Sequence, residues 1–292
     1  LLKMDFLGLR TLTVIRDAEA AIQKKDPSFS IRKLDYDDAA TYKMLGQGET
    51  EGVFQLESSG MKQVLVGLQP QNLEDVIALI SLYRPGPMDS IPTYLRNRHE
   101  PDKISYKTPQ LAHILDVTNG CIVYQEQVMQ IFRELAGFSF GQADNVRRAM
   151  SKKKHAVMEA EREHFVHGCT EPGHECPGCV ANGISEEVAN EIYDEMSSFA
   201  SYAFNKSHAA CYAYVAFQTA YLKCHYPSEF MAALLTSVLD NTDKVIEYSG
   251  ECARLGIKVL PPDVNISNGG FTADNGKIRF GLNAVKNVGR NL

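Results

Sequence analysis

The chain has 292 residues, which at about 150 residues per domain corresponds to roughly two domains. Hydrophobic residues make up 44% and charged residues 23% of it, a composition that excludes a disordered or collagen-like chain. The formal net charge of −6 disfavours a protein that holds nucleic acid by overall charge, so any phosphate contact must come from a local basic patch.

The predicted elements are mostly helices. Alternating apolar residues at the start predict a short strand that ends near Asp5. Apolar spacing and capping residues then predict helices at residues 9–22, 35–45, 72–83, 124–136, 141–154, 186 onward, 207–224, 227–239 and 244–255. The helix at 207–224 is apolar nearly all round, which predicts a core helix.

The last segment changes character after a boundary near residue 260. A short strand is predicted at 257–260, and the turn residues Asp274, Asn275 and Gly276 predict a β-hairpin. A helix at 281–286 is expected to follow. The sequence therefore predicts a mainly α fold with small β elements, in the α+β class.

No membrane span is predicted, because the longest mostly apolar stretch, residues 209–222, is shorter than the ~20 residues that a span needs. Four cysteines lie in apolar segments and are predicted to be reduced and buried: Cys121, Cys211, Cys224 and Cys252. We therefore expect a cytoplasmic protein. The chain starts in an apolar run without an initiator methionine, so we also expect a piece of a longer protein.

A basic helix is the first candidate site. At about 100° per residue, four cations share one broad face: Arg147, Arg148, Lys152 and Lys154. The apolar residues Val146, Ala149 and Met150 fall on the other face. Arginine forks suit phosphate oxygens, whereas the alternative is an ordinary solvated helix face.

The second candidate is the segment that comes directly before the helix at 207–224. It contains Asn205, Lys206, Ser207 and His208, and a helix N-terminus offers N–H donors to an anion. The alternative is simple capping by Asn205 or Ser207, with His208 packed inside.

The third candidate is a cysteine-rich stretch at residues 169–179. Cys169, His174, Cys176 and Cys179 offer three thiolates and an imidazole, a set that suits a structural zinc ion. The first two spacings are less typical of zinc sites, and His164 and His167 are alternative ligands. A polar loop with free thiols and a disulfide remain the other interpretations.

Several long segments, taken in order, carry a resemblance to one family. They are residues 3–12 (KMDFLGLRTL), 51–58 (EGVFQLES), 83–87 (YRPGP), 124–129 (YQEQVM), 147–154 (RRAMSKKK), 204–210 (FNKSHAA) and 261–265 (PPDVN). The chain resembles the bacterial DNA polymerase III alpha subunits, the C-family replicative polymerases, over nearly its whole length. The resemblance implies the end of a palm domain at residues 1–15, fingers at 16–257 with a cysteine-rich insertion at 169–179, and a truncated helix-hairpin-helix region at 258–292.

The resemblance also implies a chemistry. In this family a primer 3′-hydroxyl attacks the α-phosphate of a dNTP, with two Mg²⁺ ions held by palm carboxylates. Asp5 corresponds to the third of three catalytic aspartates and would be a magnesium ligand. The nucleotide site would hold Arg147, Arg148, Asn205, Lys206, Ser207 and His208. Arg84, Lys152 and Lys154 are further candidates for phosphate or DNA binding.

The implied partners are dNTP and primer-template DNA, with a sliding clamp and clamp-loader subunits contacted through domains outside this chain. We expect the isolated chain to be inactive, because the resemblance locates two of the three catalytic aspartates outside it. One alternative is a non-catalytic, zinc-containing nucleic-acid-binding module, which the cysteines and the basic helix would explain. Another is a helical interaction scaffold without affinity for nucleotide.

Overall fold

The computed structural model describes residues 3–4, 8–152, 155–200 and 203–288. The part of the chain described is 62% helical and contains a small three-stranded sheet, which confirms the predicted fold class. The helices are α1 (Arg10–Gln23), α2 (Ala39–Gly46), α3 (Ser59–Leu68), α4 (Leu73–Leu82), α5 (Ile91–His99), α6 (Ala112–Leu115), α7 (Gln125–Ala136), α8 (Phe140–Ser151), α9 (His155–His167), α10 (Gly178–Ala181), α11 (Glu186–Ala200), α12 (Lys206–His225), α13 (Pro227–Ser237) and α14 (Thr242–Arg254).

Local capping chemistry explains where the helices that carry the site begin and end. Ser139 Oγ accepts a hydrogen bond from the Gln142 N–H at 3.3 Å, and Gln142 Oε1 accepts one from the Ser139 N–H at 2.7 Å. This reciprocal pair fixes the start of α8. Gly137 ends α7 in the left-handed conformation at φ +75°, which favours glycine. The predicted end of α7 at residue 136 is therefore confirmed, whereas the predicted starts of α7 at 124 and of α8 at 141 each differ from the structure by one residue.

Two compact units divide the chain by contact, and each has its own hydrophobic core. Unit 1 comprises Leu1–Leu73 and Ala213–Leu292, and unit 2 comprises Glu74–Tyr212. In unit 1, α1 packs on α13, and Ile278 of the sheet joins the same core. In unit 2, α7, α8, α9 and α11 surround Phe132, whose ring lies 5.0 Å from that of Phe165. The domain limits predicted from the sequence, at residues 1–15, 16–257 and 258–292, do not coincide with these two units and remain a prediction.

The sheet lies in unit 1 and is built from β1 (Val259–Leu260), β2 (Thr272–Asp274) and β3 (Lys277–Arg279). Its order is β1-β3-β2, with β1 parallel and β2 antiparallel to β3. The hairpin predicted from Asn275 and Gly276 is confirmed, since both residues adopt positive φ between β2 and β3.

One expectation near the end of the chain was wrong, and one at its start is not tested. The predicted helix at 281–286 is only a 3₁₀ turn at Leu282–Ala284. The N–H groups of Ala284 and Val285 donate to the carbonyls three residues earlier, those of Gly281 and Leu282, which is the 3₁₀ pattern. Val285 then adopts an extended conformation, at φ −73° and ψ 126°, and ends the turn. The predicted first strand, with Asp5, falls outside the described residues.

Two expectations about burial were wrong. Cys121 and Cys252 are buried as predicted, but Cys224 is half-buried and Cys211 is exposed. Cys211 lies on a solvent-facing strip of α12 together with Ser207, His208 and Tyr214, so this helix is not buried all round. Within the described residues, none of the helices is both long and apolar enough to cross a membrane.

Candidate functional site

The paired arginines of α8 share one carboxylate. Asp144 Oδ1 accepts hydrogen bonds from Arg147 Nε at 3.0 Å and Nη2 at 2.7 Å, and Oδ2 accepts one from Arg148 Nη2. The three residues stand at positions i, i+3 and i+4 of one helix, which brings their side chains together. Hydrogen bonds from Arg147 and then Arg148 lower the pKa of the Asp144 carboxyl below its ordinary value.

The two arginines differ in exposure. The side chain of Arg148 is 61% exposed, whereas that of Arg147 is 20% exposed. On the opposite face of α8, Val146, Ala149 and Met150 are buried, as the helical spacing predicts. Arg147 is consequently the cation that the fold holds in one place, and Arg148 has more access to solvent.

Gln125 connects Arg147 to the segment before α12. Gln125 is the first residue of α7, and its Oε1 accepts a hydrogen bond from Arg147 Nη1 at 3.0 Å. Its Nε2 donates to the Ala203 carbonyl at 2.9 Å, and its backbone N–H donates to the Phe204 carbonyl at 3.0 Å. Residues that lie far apart in sequence therefore form one continuous set of contacts.

The N-terminus of α12 already has a capping side chain and a carboxylate. Asn205 Oδ1 accepts from the His208 N–H at 2.9 Å, which is the geometry of an N-cap. The Glu126 carboxylate accepts from Asn205 Nδ2 at 2.7 Å and from the Lys206 N–H at 3.1 and 3.3 Å. Glu126 thus occupies the position that helix N-termini offer to anions.

Cations and aromatic rings surround this segment. Lys206 Nζ lies 3.0 Å from Glu74 Oε2 and 5.2 Å from the centroid of the Tyr124 ring. The exposed Arg84 guanidinium carbon lies 4.1 Å from the centroid of the Phe204 ring, a cation–π distance. The structure therefore brings Arg84, a candidate from an earlier segment, beside residues 204–206.

The remaining candidates are at the surface. His208 is exposed rather than packed inside, and its ring lies 5.3 Å from that of Phe204 and 4.5 Å from that of Tyr212. Ser207 is exposed, and so is Lys152, the C-cap of α8. Asp5 and Lys154 lie outside the described residues.

An open cavity of about 490 Å³ joins the two parts of the site. Its wall includes Gln125, Glu126, Phe140, Asp144, Arg147 and Asn205. This volume falls within the ~300–1,000 Å³ that is usual for small-molecule sites. An anion that enters the cavity would meet Arg147, but it would also have to compete with the Asp144 and Glu126 carboxylates.

The cysteine-rich stretch is closed by backbone contacts. Cys169 and Cys176 pair as an antiparallel bridge, with N–H to carbonyl distances of 2.9 Å in both directions. Cys176 and Cys179 are buried in the hydrophobic core of unit 2, whereas His174 is exposed. Burial raises the pKa of Cys179 to about 12, so this thiol stays protonated at neutral pH.

No group of three or more His, Cys, Asp or Glu side chains that could hold a metal ion occurs among the described residues, which include the whole stretch 169–179. The predicted zinc set of Cys169, His174, Cys176 and Cys179 is therefore not assembled. The physical reason is that Cys176 and Cys179 are packed into the hydrophobic core of unit 2, whereas His174 is exposed to solvent, so these side chains do not converge on one point.

Three residues of the site were not singled out from the sequence: Gln125, Glu126 and Asp144. Asp144 could have been found, because its spacing to both arginines is that of helical ion pairs. Gln125 and Glu126 lie within the segment 124–129 that supports the family resemblance, but nothing in the sequence links them to residues 203–206.

Comparison with known proteins gives consistent matches. Residues 11–173 match the family of the bacterial DNA polymerase III alpha subunit finger domain, and residues 256–292 match a helix-hairpin-helix motif. The chain is 50% identical to the DNA polymerase III subunit alpha of Thermus aquaticus and 47% identical to that of Bacillus subtilis. Each alignment covers 99% of this chain, and 23% and 25% of these two relatives. The chain thus spans about a quarter of the length of the curated relatives that it matches.

Proposed function

Because the chain belongs to the family of the bacterial DNA polymerase III alpha subunit finger domain, we propose that it serves a DNA-directed DNA polymerase as its nucleotide-binding part. In this role it binds the incoming dNTP beside primer-template DNA for nucleotidyl transfer. The observation that carries the proposal is the cavity of about 490 Å³ that both Arg147 and Asn205 line. The helix-hairpin-helix match at residues 256–292 supports the DNA part of the proposal.

The charged groups suggest how the triphosphate is held. The Arg147 guanidinium carries a permanent charge and a planar set of donors, which suits the oxygens of a phosphate group. Arg148 of the same helix and Lys152, its C-cap, are both exposed and would add positive potential. Asn205, Lys206, Ser207 and His208 would contact the nucleotide from the start of α12, and Arg84 would contact DNA or phosphate beside Phe204.

Binding at the start of α12 requires an exchange of partners, because the Glu126 carboxylate now accepts hydrogen bonds from Asn205 Nδ2 and from the Lys206 N–H. Arg147 keeps its contacts with Asp144 and Gln125 in this arrangement. A triphosphate carries more negative charge than a carboxylate. It can therefore compete with the carboxylate for the same N–H donors when cations balance the rest of the triphosphate charge. The reaction that we infer is attack of the primer 3′-hydroxyl on the α-phosphate, with pyrophosphate leaving.

The described residues do not fit a magnesium site, since no carboxylate cluster among them could hold an ion. We therefore derive no step through Mg²⁺ from this chain. In the proposed enzyme the ions would be held by Asp5 and by palm carboxylates outside the chain. For this reason the isolated chain should not extend a primer, and templated, metal-dependent extension by it would contradict the proposal.

The sliding clamp and the clamp loader remain predicted partners of the complete polymerase, and a cytoplasmic location is inferred from the proposed role. The alternative of a zinc-containing binding module has lost its main support, because the cysteines do not form a metal-binding group within the described residues.

The role of the arginines can be tested by Arg147→Ala and Arg148→Ala in a complete polymerase III alpha subunit that carries this chain as its matching segment. Each substitution should weaken dNTP use by about 1–3 kcal/mol, the usual range for a charge-assisted hydrogen bond. The loss should be larger for Arg147, which is less exposed. Steady-state incorporation of single nucleotides gives KM and kcat.

The matched control is Arg162→Ala. Arg162 also bonds a carboxylate, Asp194 at 2.6 Å, but it does not line the cavity. This variant should keep KM and kcat within about twofold. If both Arg147→Ala and Arg148→Ala behave like the control, neither arginine binds the triphosphate.

A further inference from the structure

The contacts of Arg147 come from two different helices and fix its direction. On its own helix, Asp144 Oδ1 accepts from both Nε and Nη2 of the guanidinium. From α7, Gln125 Oε1 accepts from Nη1. A long flexible side chain is thereby held at both edges of its planar head group, and the residue lines the cavity in this orientation.

We propose that Asp144 and Gln125 are positioning residues, which hold the Arg147 guanidinium in the orientation that receives the triphosphate. This inference rests on the proposed nucleotide-binding function. Neither residue needs to touch the nucleotide. Both act through Arg147, because a catalytic group held within a fraction of an ångström of its productive geometry loses little freedom when the substrate binds.

Gln125 connects Arg147 to the segment before α12. Both polar atoms of its side-chain amide form hydrogen bonds, since Nε2 donates to the Ala203 carbonyl while Oε1 accepts from Arg147. The backbone of the same residue bonds Phe204. Arg147 is therefore aligned with respect to the segment that leads into Asn205, and not only with respect to its own helix.

The sign of the effect separates positioning from simple electrostatics. Asp144 carries a negative charge next to the proposed triphosphate site, so a purely electrostatic account expects its removal to improve nucleotide use. Positioning predicts the opposite, because the loss of the Asp144 charge weakens the contacts that orient Arg147. The asparagine side chain has almost the same shape as that of aspartate, so Asp144→Asn changes chiefly the charge.

The test measures kcat/KM for single-nucleotide incorporation in the complete polymerase described above. Asp144→Asn and Gln125→Leu should each lower kcat/KM by about 5- to 20-fold. Asp144→Glu keeps a carboxylate within reach of both arginines and should recover most of the loss. The matched control is Asp194→Asn, which removes the carboxylate partner of Arg162 and should stay within about twofold.

A double-mutant cycle excludes a merely structural role. In an Arg147→Ala background, Asp144→Asn and Gln125→Leu should each cause less than a further twofold loss, since the group that they orient is absent. Additive losses would overturn the inference, and so would an unchanged or increased kcat/KM for Asp144→Asn. If that variant does not fold, Gln125→Leu provides the same test from the other helix.

The two proposals fail in different ways. If Arg147→Ala itself has no effect, the nucleotide-binding role of the arginine is wrong. If Arg147→Ala lowers kcat/KM but Asp144→Asn and Gln125→Leu do not, only the positioning inference is wrong.

Discussion

At the scale of single residues, a buried ion pair in unit 1 illustrates how a charged group is stabilised in an apolar core. The side chains of Lys223 and Glu251 are 0% and 3% exposed, and Lys223 Nζ lies 2.7 Å from Glu251 Oε1. Lys223 also donates to the carbonyls of Glu49 and Glu51 at 2.9 Å. Its three donors are therefore satisfied, which is the condition for burying an ammonium group.

The surroundings move the pKa values of the two partners. Burial lowers the pKa of Lys223, although the hydrogen bond to Glu251 opposes this effect. Burial by itself would raise the pKa of Glu251, but hydrogen bonds from Arg254 and Lys223 outweigh it and lower this pKa. The pair is consequently a structural contact that depends on all of its hydrogen bonds.

Removing one partner should be costly. Lys223→Met is expected to lower the free energy of unfolding by about 3–5 kcal/mol, because it leaves the Glu49 and Glu51 carbonyls without this donor and takes the ammonium group away from the buried Glu251 carboxylate. The measurement is urea unfolding of the chain at pH 7. The control is Lys244→Met, which breaks the more exposed pair with Glu247 and should cost about 0–1 kcal/mol. Equal losses for the two variants would contradict this account.

At the scale of an element, the loop between α9 and α10 shows how closely two backbone segments approach. Gly168 and Gly178 both have positive φ, at +88° and +79°. A Cβ added to Gly178 would lie 2.3 Å from the Gly168 nitrogen and 2.6 Å from the His167 carbonyl carbon. Together with the backbone pairing of Cys169 and Cys176, this contact closes the loop.

The loop offers a substitution with a built-in control. Gly178→Ala should lower the free energy of unfolding by about 2–4 kcal/mol, since backbone atoms cannot move aside for the new methyl group. Gly173→Ala, at the tip of the same loop, has a positive φ of +84° but nothing within 4 Å of the added Cβ. It should cost only about 1–2 kcal/mol from backbone strain. Thermal unfolding compares the two, and a smaller loss for Gly178→Ala would refute the close approach.

At the scale of the whole molecule, the ionisable groups set the pH range of stability. Most carboxyl groups with a resolved shift have a lowered pKa: Asp26, Asp38, Glu51, Glu134, Asp144, Glu229 and Glu251. Glu195 is the opposite case, because burial raises its pKa. Burial also raises the pKa of five thiols, those of Cys121, Cys176, Cys179, Cys224 and Cys252. The value is about 11 for Cys121 and about 12 for Cys179 and Cys252.

These shifts predict a stability plateau near neutral pH with losses on both sides. A carboxyl with a lowered folded pKa binds protons more readily in the unfolded state, so stability should fall as the pH drops below about 4.5. A buried thiol ionises more readily when unfolded, so stability should also fall as the pH rises above about 8.5. Urea midpoints between pH 3 and 11 test this, and a midpoint that does not change between pH 7 and 3 would contradict the acid branch.

A single variant probes the acid branch. Glu229 is held by Ser228 and Lys25 at 2.8 and 3.0 Å, and these hydrogen bonds lower its pKa against the opposing effect of burial. The glutamine side chain of Glu229→Gln cannot titrate. The urea midpoint of this variant should therefore fall less steeply between pH 5 and 3 than that of the parent protein. Identical slopes would mean that this carboxyl does not contribute to the acid loss.

The sequence by itself determined most of the local structure. Apolar spacing identified α1, α4, α7, α8, α13 and α14, and the hairpin followed from its turn residues, because helices and tight turns depend on residues three to four positions apart. The two faces of α8 followed for the same reason. The family resemblance came from continuous segments and was confirmed by the matches over residues 11–173.

Only the tertiary structure decided which groups meet. Glu126 reaches the N-terminus of α12, and Gln125 joins Arg147 to Ala203, through contacts between residues that are far apart in the chain. The cysteine stretch had the composition of a zinc site, yet the fold buried two thiols and exposed His174. The spacing of residues along the chain determines which side chains are neighbours within one helix or strand. Burial and long-range contacts depend instead on how the helices and strands pack, and this packing sets the chemical environment of each side chain.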